Sequence, residues 1–295
     1  MKKEPIFTGA ATALVTPMNS YTVDFDAFGR LIDWQIEQGI DALVIAGTSG
    51  EGSTLSDVEH REVVRFAVKR AAHRVPIIAG TGSNDTAYAV DLSKSCCEAG
   101  ADALLVVTPY YNKATQKGLI TMYTEIADAV DKPIILYNVP SRTGVNIAPE
   151  TYLALSEHPN IVAIKEANGD IGKIVHTMQL VGDKLDLYSG NDDQIIPLMS
   201  LGGKGVISVL SNLLPAETSA MCKKYLAGER EEALQMQFHY MPLINALFSE
   251  VNPIPVKAAM AAMGFGQNYL RLPLTCMEEK NEKVLLDLMR AENLI

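Results

Sequence analysis

The chain has 295 residues, of which 48% are hydrophobic and 20% are charged, a composition that is ordinary for a soluble globular protein. Its formal net charge of −10, without any run of basic residues, argues against a nucleic-acid-binding surface. No apolar run approaches the roughly 20 residues that cross a bilayer, and no apolar stretch follows the charged start Met1–Pro5 as it would in a secretory signal. These features predict a cytoplasmic protein without nucleic-acid or membrane partners.

The cysteines and histidines give no sign of a disulfide framework or a metal centre. The four cysteines are Cys96, Cys97, Cys222 and Cys276. None forms a Cys-x-x-Cys pair, so we expect free thiols, as in cytosolic proteins. The five histidines are His60, His73, His158, His176 and His239. None has the spacing of a zinc site, and no Walker or dinucleotide-binding motif occurs, so the sequence predicts neither a metal nor a nucleotide cofactor.

Short apolar runs alternate with longer amphipathic segments along the whole chain. The runs are Ala11–Val15, Ala42–Ala46, Pro76–Ala79, Ala103–Val107, Pro133–Tyr137, Ile161–Lys165, Leu185–Tyr188 and Gly205–Val209. They are almost continuously apolar, which is typical of strands that are buried on both faces of a parallel sheet. We therefore predict that each run is a β-strand.

The segments between these runs have the apolar spacing of helices. They are Phe25–Gln38, Ser56–Ala72, Thr86–Ala99, Lys117–Val130, Pro149–Glu157, Asp170–Val181 and Asp192–Leu201. Ser56 and Glu59 form the sequence pattern of a capping box, which predicts a helix start. Gly39, Gly100 and Gly202 follow three of the helices and predict left-handed C-terminal caps.

Eight strands alternating with helices predict an α/β fold, a (β/α)8 TIM barrel. The alternative is an open doubly wound sheet, which is favoured by a Gly-x-Gly-x-x-Gly motif after the first strand, and the segment Thr8–Pro17 lacks that motif. Beyond Leu210 the apolar spacing is again helical. We expect residues 1–225 to form the barrel and residues 226–295 to form a C-terminal helical extension packed on it.

A lone lysine ends the sixth run, and in a TIM barrel the C-terminal ends of the strands form the active site. Lys165 follows four apolar residues. Burial disfavours a charged ammonium, and a neutral amine is the nucleophile that forms an imine with a ketone. The alternative is an ion pair with Glu166, although adjacent strand residues point to opposite faces. From the residues alone, both interpretations stay open.

Three further groups follow predicted strands. Tyr137 ends the strand before that of Lys165, where a phenol can transfer protons to an imine or can simply pack its ring. The loop Gly47–Glu51 offers hydroxyl and backbone N–H groups to a carboxylate, or caps the next helix. Arg142 has the guanidinium that suits a carboxylate, but many loop arginines are only solvent-exposed.

Ordered motifs at these strand ends resemble those of one known family. They are Gly47-Thr-Ser-Gly-Glu51, Thr108-Pro-Tyr-Tyr-Asn112, Leu136-Tyr-Asn-Val-Pro-Ser-Arg-Thr-Gly144, Ile164-Lys-Glu-Ala167, Asn252-Pro-Ile-Pro-Val-Lys257 and Leu270-Arg-Leu-Pro273. From about Phe7 to the end, the chain is similar to the dihydrodipicolinate synthases, also called 4-hydroxy-tetrahydrodipicolinate synthases. The resemblance implies a lyase that condenses pyruvate with L-aspartate 4-semialdehyde in lysine and diaminopimelate biosynthesis.

The resemblance also implies a role for each catalytic residue. Lys165 would form a Schiff base with pyruvate, so no other cofactor is needed. Tyr137 would transfer protons, and Thr48 and Tyr111 would complete a proton relay to solvent. In the family, the tyrosine that matches Tyr111 reaches into the neighbouring subunit's site. The resemblance therefore implies a homo-oligomer, at least a dimer, and we expect a homotetramer built from two tight dimers.

Substrate binding is implied for four residues. Ser49 would hold the pyruvate carboxylate with help from the backbone of Ile207, and Gly190 would also contact substrate. Arg142 would bind the carboxylate of the semialdehyde. Many members of the family have Thr at the position of Ser49, and either residue supplies a hydroxyl.

A departure from the family pattern concerns regulation. Lysine-inhibited bacterial members often have His at the position of Asp57 and Glu at that of Tyr88. This chain keeps His60, Asn84 and Tyr110 of that allosteric pattern. Without the Glu, a carboxylate that would pair with the effector's ammonium is missing, so we expect weak or absent inhibition by lysine.

Two alternative functions are compatible with part of this residue set. N-acetylneuraminate lyase and other sugar-acid aldolases share the lysine and the tyrosine, but a polyhydroxylated sugar does not need Arg142, whereas an aldehyde with a carboxylate does. A non-catalytic barrel that binds a 2-oxo acid is the other alternative. The complete set of Lys165, Tyr137, Thr48 and Tyr111 argues against it.

Overall fold

The computed structural model describes residues 4–295, and its main feature is a closed barrel of eight parallel strands. In chain order, the strands β1 to β10 are Gly9–Ala13, Met18–Asn19, Thr22–Val23, Ala42–Ile45, Ile77–Gly80, Ala103–Val107, Ile134–Asn138, Ile161–Glu166, Asp186–Ser189 and Gly205–Ser208. Strands β2 and β3 form a separate antiparallel hairpin, which the sequence did not predict. The other eight pair in sequence order, and β10 closes the barrel against β1. The predicted barrel is therefore confirmed, and the open sheet is wrong.

Helices connect the strands on the outside of the barrel. In chain order, α1 to α12 are Phe25–Glu37, Asp57–Ala71, Thr86–Glu98, Gln116–Asp128, Pro140–Thr143, Pro149–Leu155, Ile171–Val181, Ile195–Ser200, Pro215–Ala227, Arg230–Leu247, Ile254–Ala262 and Glu279–Ala291. The capping box before α2 is confirmed, since Ser56 and Glu59 bond reciprocally. The predicted helix Asp192–Leu201 begins instead as a 3-10 turn at Asp192 and continues as α8. The one-turn helix α5 was not predicted.

Apolar side chains fill the inside and the outside of the sheet, which explains the continuous apolar runs. Small and large apolar residues together face the barrel axis, for example Ala11, Ala42, Ala103, Ile78 and Ile135. Others, such as Leu43 and Ile45 of β4, face the helices. Because successive strand residues point to opposite faces, a strand buried on both sides needs apolar residues at every position.

An aromatic pair packs inside the N-terminal end of the barrel. Phe7 stacks on Tyr188, with ring centroids 4.3 Å apart. The Tyr188 hydroxyl donates a hydrogen bond to the backbone oxygen of Phe7 at 2.7 Å, which satisfies a polar group in a buried position. The two rings thus fill part of the barrel interior at the end away from the predicted site.

The last part of the chain is helical, as the apolar spacing predicts. Helix α9 packs against β1, and α10, α11 and α12 follow it and contact one another. The division of the chain at residue 225 stays a prediction. Among residues 4–295, no helix is long and apolar enough to cross a membrane, and the four cysteines are free.

The pairing of β1 with β10, which closes the barrel, depends on two glycines. Gly9 and Gly205 are register partners, and a Cβ at Gly205 would lie 1.7 Å from the backbone oxygen of Gly9. We expect Gly205→Ala to prevent closure and to lower the free energy of unfolding by about 4 kcal/mol or more. Gly202→Ala is the matched control, since φ is +94° there but no atom lies within 4 Å of the new Cβ. That variant should lose only about 1 kcal/mol. Denaturant unfolding measures both free energies, and equal losses in the two variants would contradict the role of Gly205 in closing the barrel.

Candidate active site

A cavity of about 170 Å³ lies at the C-terminal ends of the barrel strands. Six of the residues predicted from the sequence line it, namely Thr48, Ser49, Tyr137, Arg142, Lys165 and Gly190. They come from four different strand ends or from the loops after them, so only the closed barrel brings them together. The cavity is therefore the candidate active site.

Lys165 and Tyr137 are direct neighbours across the β7–β8 pair. The Nζ atom of Lys165 lies over the Tyr137 ring, 4.1 Å from its centroid, and the two residues are only 5% and 6% exposed. Within residues 4–295, no carboxylate oxygen is within ion-pairing distance of Lys165, whereas the second buried lysine, Lys257, pairs with Glu51. The Lys165 amine is thus buried against an aromatic face and faces the cavity without an ion pair. Burial raises the pKa of the Asp192 carboxyl overall, and the charge of Lys165 opposes that shift.

Gly190 leaves room for the lysine side chain. A Cβ at this position would lie 3.2 Å from Cε of Lys165 and 2.8 Å from Cβ of Ala167. The backbone N–H of Gly190 is held by the Glu166 carbonyl at 2.7 Å. A side chain at this position would clash with Ala167 and crowd Lys165. The contact of Gly190 with substrate remains a prediction.

The loop after β4 places Thr48 and Ser49 in the cavity. Two non-glycine residues that flank them, Ala46 and Glu51, have left-handed φ values of 54° and 53°. Such conformations cost free energy and persist only where surrounding contacts enforce them. Ser49 is buried, and its hydroxyl accepts a hydrogen bond from Nδ2 of Asn252 at 3.1 Å. The hydroxyl that would bind a carboxylate is therefore already fixed by the C-terminal segment.

Asn252 also connects this loop to Arg142. Nη2 of Arg142, on the short helix α5, donates to the backbone oxygen of Asn252 at 3.2 Å. The guanidinium is exposed enough to meet a ligand and lines the cavity. Asn252 and Phe248 line the cavity too, although sequence reasoning assigned them no role. The sequence feature that could have indicated a role for Asn252 is the family motif Asn252–Lys257, which begins at this residue.

Two predicted residues are not part of the cavity wall. Tyr111 is 93% exposed, with φ of 69°, on the loop after β6. Ile207 is buried in β10 and packs inside the barrel, while Val209, two residues further on, reaches the cavity. The roles of Tyr111 and Ile207 remain predictions.

A second cavity of about 390 Å³ adjoins the first and shares Thr48, Tyr137 and Arg142 with it. His60 and Tyr110, two residues of the predicted regulatory set, line it, and Nδ2 of Asn84 donates to the Tyr110 backbone oxygen at 3.1 Å. Burial lowers the pKa of His60, whose Nε2 lies 2.8 Å from the Gly80 carbonyl. Among residues 4–295, no group of three or more potential ligand side chains is arranged to hold a metal ion.

Glu166 faces the helices rather than the cavity. Its carboxylate accepts hydrogen bonds from Nδ2 of Asn138 at 2.9 Å, from the Tyr152 hydroxyl at 3.1 Å and from the Asn168 N–H at 2.9 Å. Burial raises its pKa to about 7, although these donors oppose the shift. Glu166 therefore does not neutralise Lys165, its neighbour in sequence.

The raised pKa of Glu166 predicts a pH-dependent stability. Between pH 4.5, the ordinary pKa, and about pH 7, the folded protein holds a proton that the unfolded chain releases. The free energy of unfolding should therefore fall as pH rises through this window, by about 3 kcal/mol relative to Glu166→Gln. Denaturant unfolding of both proteins at pH 5 and pH 8 measures the difference. A difference that is independent of pH would contradict the prediction.

Comparisons with known proteins show the family to which the chain belongs. The model of the dihydrodipicolinate synthetase family matches residues 6–292. The 4-hydroxy-tetrahydrodipicolinate synthase of Caldicellulosiruptor saccharolyticus is 56% identical over 282 residues, covering 95% of both chains. Dihydrodipicolinate synthase from Thermotoga maritima superposes with a TM-score of 0.97 at 41% identity and covers 99% of this chain and 100% of its own. The chloride-inhibited enzyme from Acinetobacter baumannii, solved in complex with pyruvate, superposes at 0.95 with 43% identity and covers 98% of this chain and 99% of its own. This chain therefore belongs to the dihydrodipicolinate synthetase family.

Proposed function

We propose that this chain condenses pyruvate with L-aspartate 4-semialdehyde through a Schiff base on Lys165, which is the lyase activity of a 4-hydroxy-tetrahydrodipicolinate synthase in lysine and diaminopimelate biosynthesis. Membership of the family supports this activity. The observation that supports the mechanism is the buried amine of Lys165, which faces a cavity beside Tyr137 and makes no ion pair with any of residues 4–295.

The first step is formation of the imine. The neutral amine of Lys165 attacks the ketone carbon of pyruvate, and the ketone oxygen leaves as water after it has gained two protons. Ser49 is positioned to bind the pyruvate carboxylate through its hydroxyl, which Asn252 already orients. Tyr137, which packs against the lysine, is the nearest candidate for the proton transfers.

The second step forms the carbon–carbon bond. The iminium draws electrons from the methyl group, which loses a proton and becomes an enamine carbon. This carbon attacks the aldehyde carbon of the semialdehyde, and the aldehyde oxygen takes a proton and becomes a hydroxyl. The amino group of the semialdehyde then attacks the imine carbon, closes the ring and releases Lys165. The lysine itself supplies the electron sink, so the scheme needs no metal or diffusible cofactor.

Arg142 favours the synthase over a sugar-acid aldolase. Its guanidinium lines the cavity in which the acceptor must approach Lys165. A carboxylate on the acceptor would pair with that charge, whereas a polyhydroxylated sugar has no matching group. We infer that Arg142 binds the carboxylate of L-aspartate 4-semialdehyde.

Tyr111 fits the proposed relay only in an oligomer. In a single chain its ring is almost fully exposed to solvent and lies outside the cavity. A tyrosine that reaches into a neighbouring subunit would have this exposure. We therefore infer at least a homodimer, and we propose a homotetramer of two such dimers.

Borohydride reduction in the presence of pyruvate tests the nucleophile. We expect one reduced pyruvate adduct, mapped to the peptide that contains Lys165 and not to that of Lys257. Lys165→Arg should form no adduct, because a guanidinium has no usable neutral amine, while Tyr137→Phe should form it more slowly. Intact mass and peptide mapping measure both results. Adduct or turnover in Lys165→Arg would rule out this mechanism, and adduct without turnover in the wild type would favour a non-catalytic binder.

The partners of Asp57 and Tyr88, the two positions that depart from the allosteric pattern, support the prediction of weak or absent inhibition by lysine. The Asp57 carboxylate already bonds Arg61 at 2.9 Å and the Tyr88 hydroxyl at 3.1 Å. Arg61, followed by Tyr88, lowers the pKa of Asp57, so this carboxylate is occupied by partners of its own. An effector ammonium would therefore meet no free carboxylate from these residues.

A turnover assay with added L-lysine tests this prediction. We expect activity to be unchanged at low-millimolar L-lysine. The double variant Asp57→His/Tyr88→Glu, which restores the residue types of lysine-inhibited members, should gain inhibition. Loss of wild-type turnover at low-millimolar lysine would show that the prediction is wrong.

A further inference from the structure

A buried ion pair joins the substrate loop to the C-terminal helices. Glu51 ends the loop that contains Thr48 and Ser49, and Lys257 lies on α11, 206 residues further along the chain. The side chains are 0% and 2% exposed, and the carboxylate also accepts the backbone N–H of Arg271 at 3.1 Å. Neither residue lines the candidate active site. The pair therefore acts on the site indirectly, through the loop and through the C-terminal segment that contains Asn252.

Stability alone is a weak reason for such a pair. Removing two charges from water costs several kcal/mol, and apolar side chains of similar volume often stabilise a fold equally well or better. Breaking a pair by removing one partner is costly, because an unpaired charge is left buried. A buried ion pair differs from an apolar contact in fixing where two side chains meet.

The loop needs that kind of constraint. Ala46 and Glu51 are both left-handed, and the Cβ of any residue replacing Gly52 would lie 2.2 Å from the Ala46 carbonyl oxygen. Loop hydrogen bonds hold part of the turn, as from the Gly52 N–H to the Gly47 carbonyl at 3.2 Å. The Glu51 carboxylate also contacts the C-terminal segment twice, by an ion pair with Lys257 and by a hydrogen bond from the Arg271 N–H. A backbone in such conformations stays in place only where its contacts over-determine it.

The same C-terminal segment also holds the substrate-binding hydroxyl. Asn252 bonds Ser49, two residues before Glu51, and Lys257 lies five positions after Asn252 in the sequence. The loop is thus fastened at Ser49 and at Glu51 to one short stretch of chain. Lys165 and Tyr137 are positioned independently, by the β7–β8 pairing.

We propose that the buried Glu51–Lys257 pair is a positioning device that holds the loop Gly47–Gly52 in the geometry that presents Ser49 to the pyruvate carboxylate. The role rests on the proposed function, because it concerns the binding of pyruvate. Its expected signature is a weaker affinity for pyruvate with little change in the chemistry at Lys165.

The double variant Glu51→Gln/Lys257→Met tests the role apart from stability. It removes both charges, and the Gln carbonyl can still accept the Arg271 N–H. We expect Lys257→Met alone to lower the melting temperature, because Glu51 is then unpaired, and the double variant to recover it. The KM for pyruvate should nevertheless stay about tenfold above wild type, with kcat within about threefold, since small misplacements of a binding group are costly. Hydrogen exchange of the loop amides should be faster than in wild type.

Leu155→Ala is the matched control for a general loss of stability. Leu155 is buried at the end of α6, a helix that packs against α4 and α7. We expect this variant to lower the melting temperature but to keep the wild-type KM and loop exchange. A wild-type KM together with wild-type loop exchange in the double variant would overturn the proposal.

Two further outcomes are informative. Should the double variant fail to fold, Glu51→Asp keeps the charge but shortens the side chain, and it should also raise the KM for pyruvate, whereas an unchanged KM there would overturn the proposal. Absence of a pyruvate adduct in the wild type would instead contradict the proposed function. Loop exchange would still decide whether the pair positions the loop.

Discussion

The orientation of Lys165 depends on the register between β7 and β8. In this register Tyr137 is paired with Lys165, and both face the cavity, while Asn138 and Glu166, the next pair, face the helices. A shift of one residue would exchange the two faces and place the carboxylate in the cavity. The hydrogen bond between Asn138 and Glu166 therefore holds an arrangement in which the sheet separates the amine from the nearest charge in sequence. The other residues of the candidate site line the cavity on the Lys165 side of the sheet.

Much of the barrel is evident in the sequence because its strands are buried on both faces. Such strands appear as uninterrupted apolar runs, so a charged residue at the end of one, such as Lys165, is conspicuous. The hairpin β2–β3 has strands of two residues, too short to show any period. The helix α5 is a single turn that begins at Pro140, and its sequence is also typical of a loop. These elements are positioned by the barrel around them and not by local pattern.

Contacts between distant parts of the chain could not be predicted in the same way. Asn252 and Ser49 are separated by 203 positions, and no local spacing records that they meet. The C-terminal segment contributes Asn252 and Phe248 to the cavity wall, and so belongs to the site as much as the strands do. The family motifs in this segment indicate that it matters, but only the structure shows that its residues contact Ser49 and Arg142.

The stacked rings of Phe7 and Tyr188 lie inside the barrel at the end opposite the candidate active site. Because apolar side chains pack the barrel interior and the cavity with Lys165 lies at the C-terminal ends of the strands, we expect substrate and product to pass through that end. In the proposed reaction, the water lost when pyruvate binds must pass out before the larger acceptor occupies the passage. A shared route would therefore favour binding of pyruvate and release of its water before the acceptor enters.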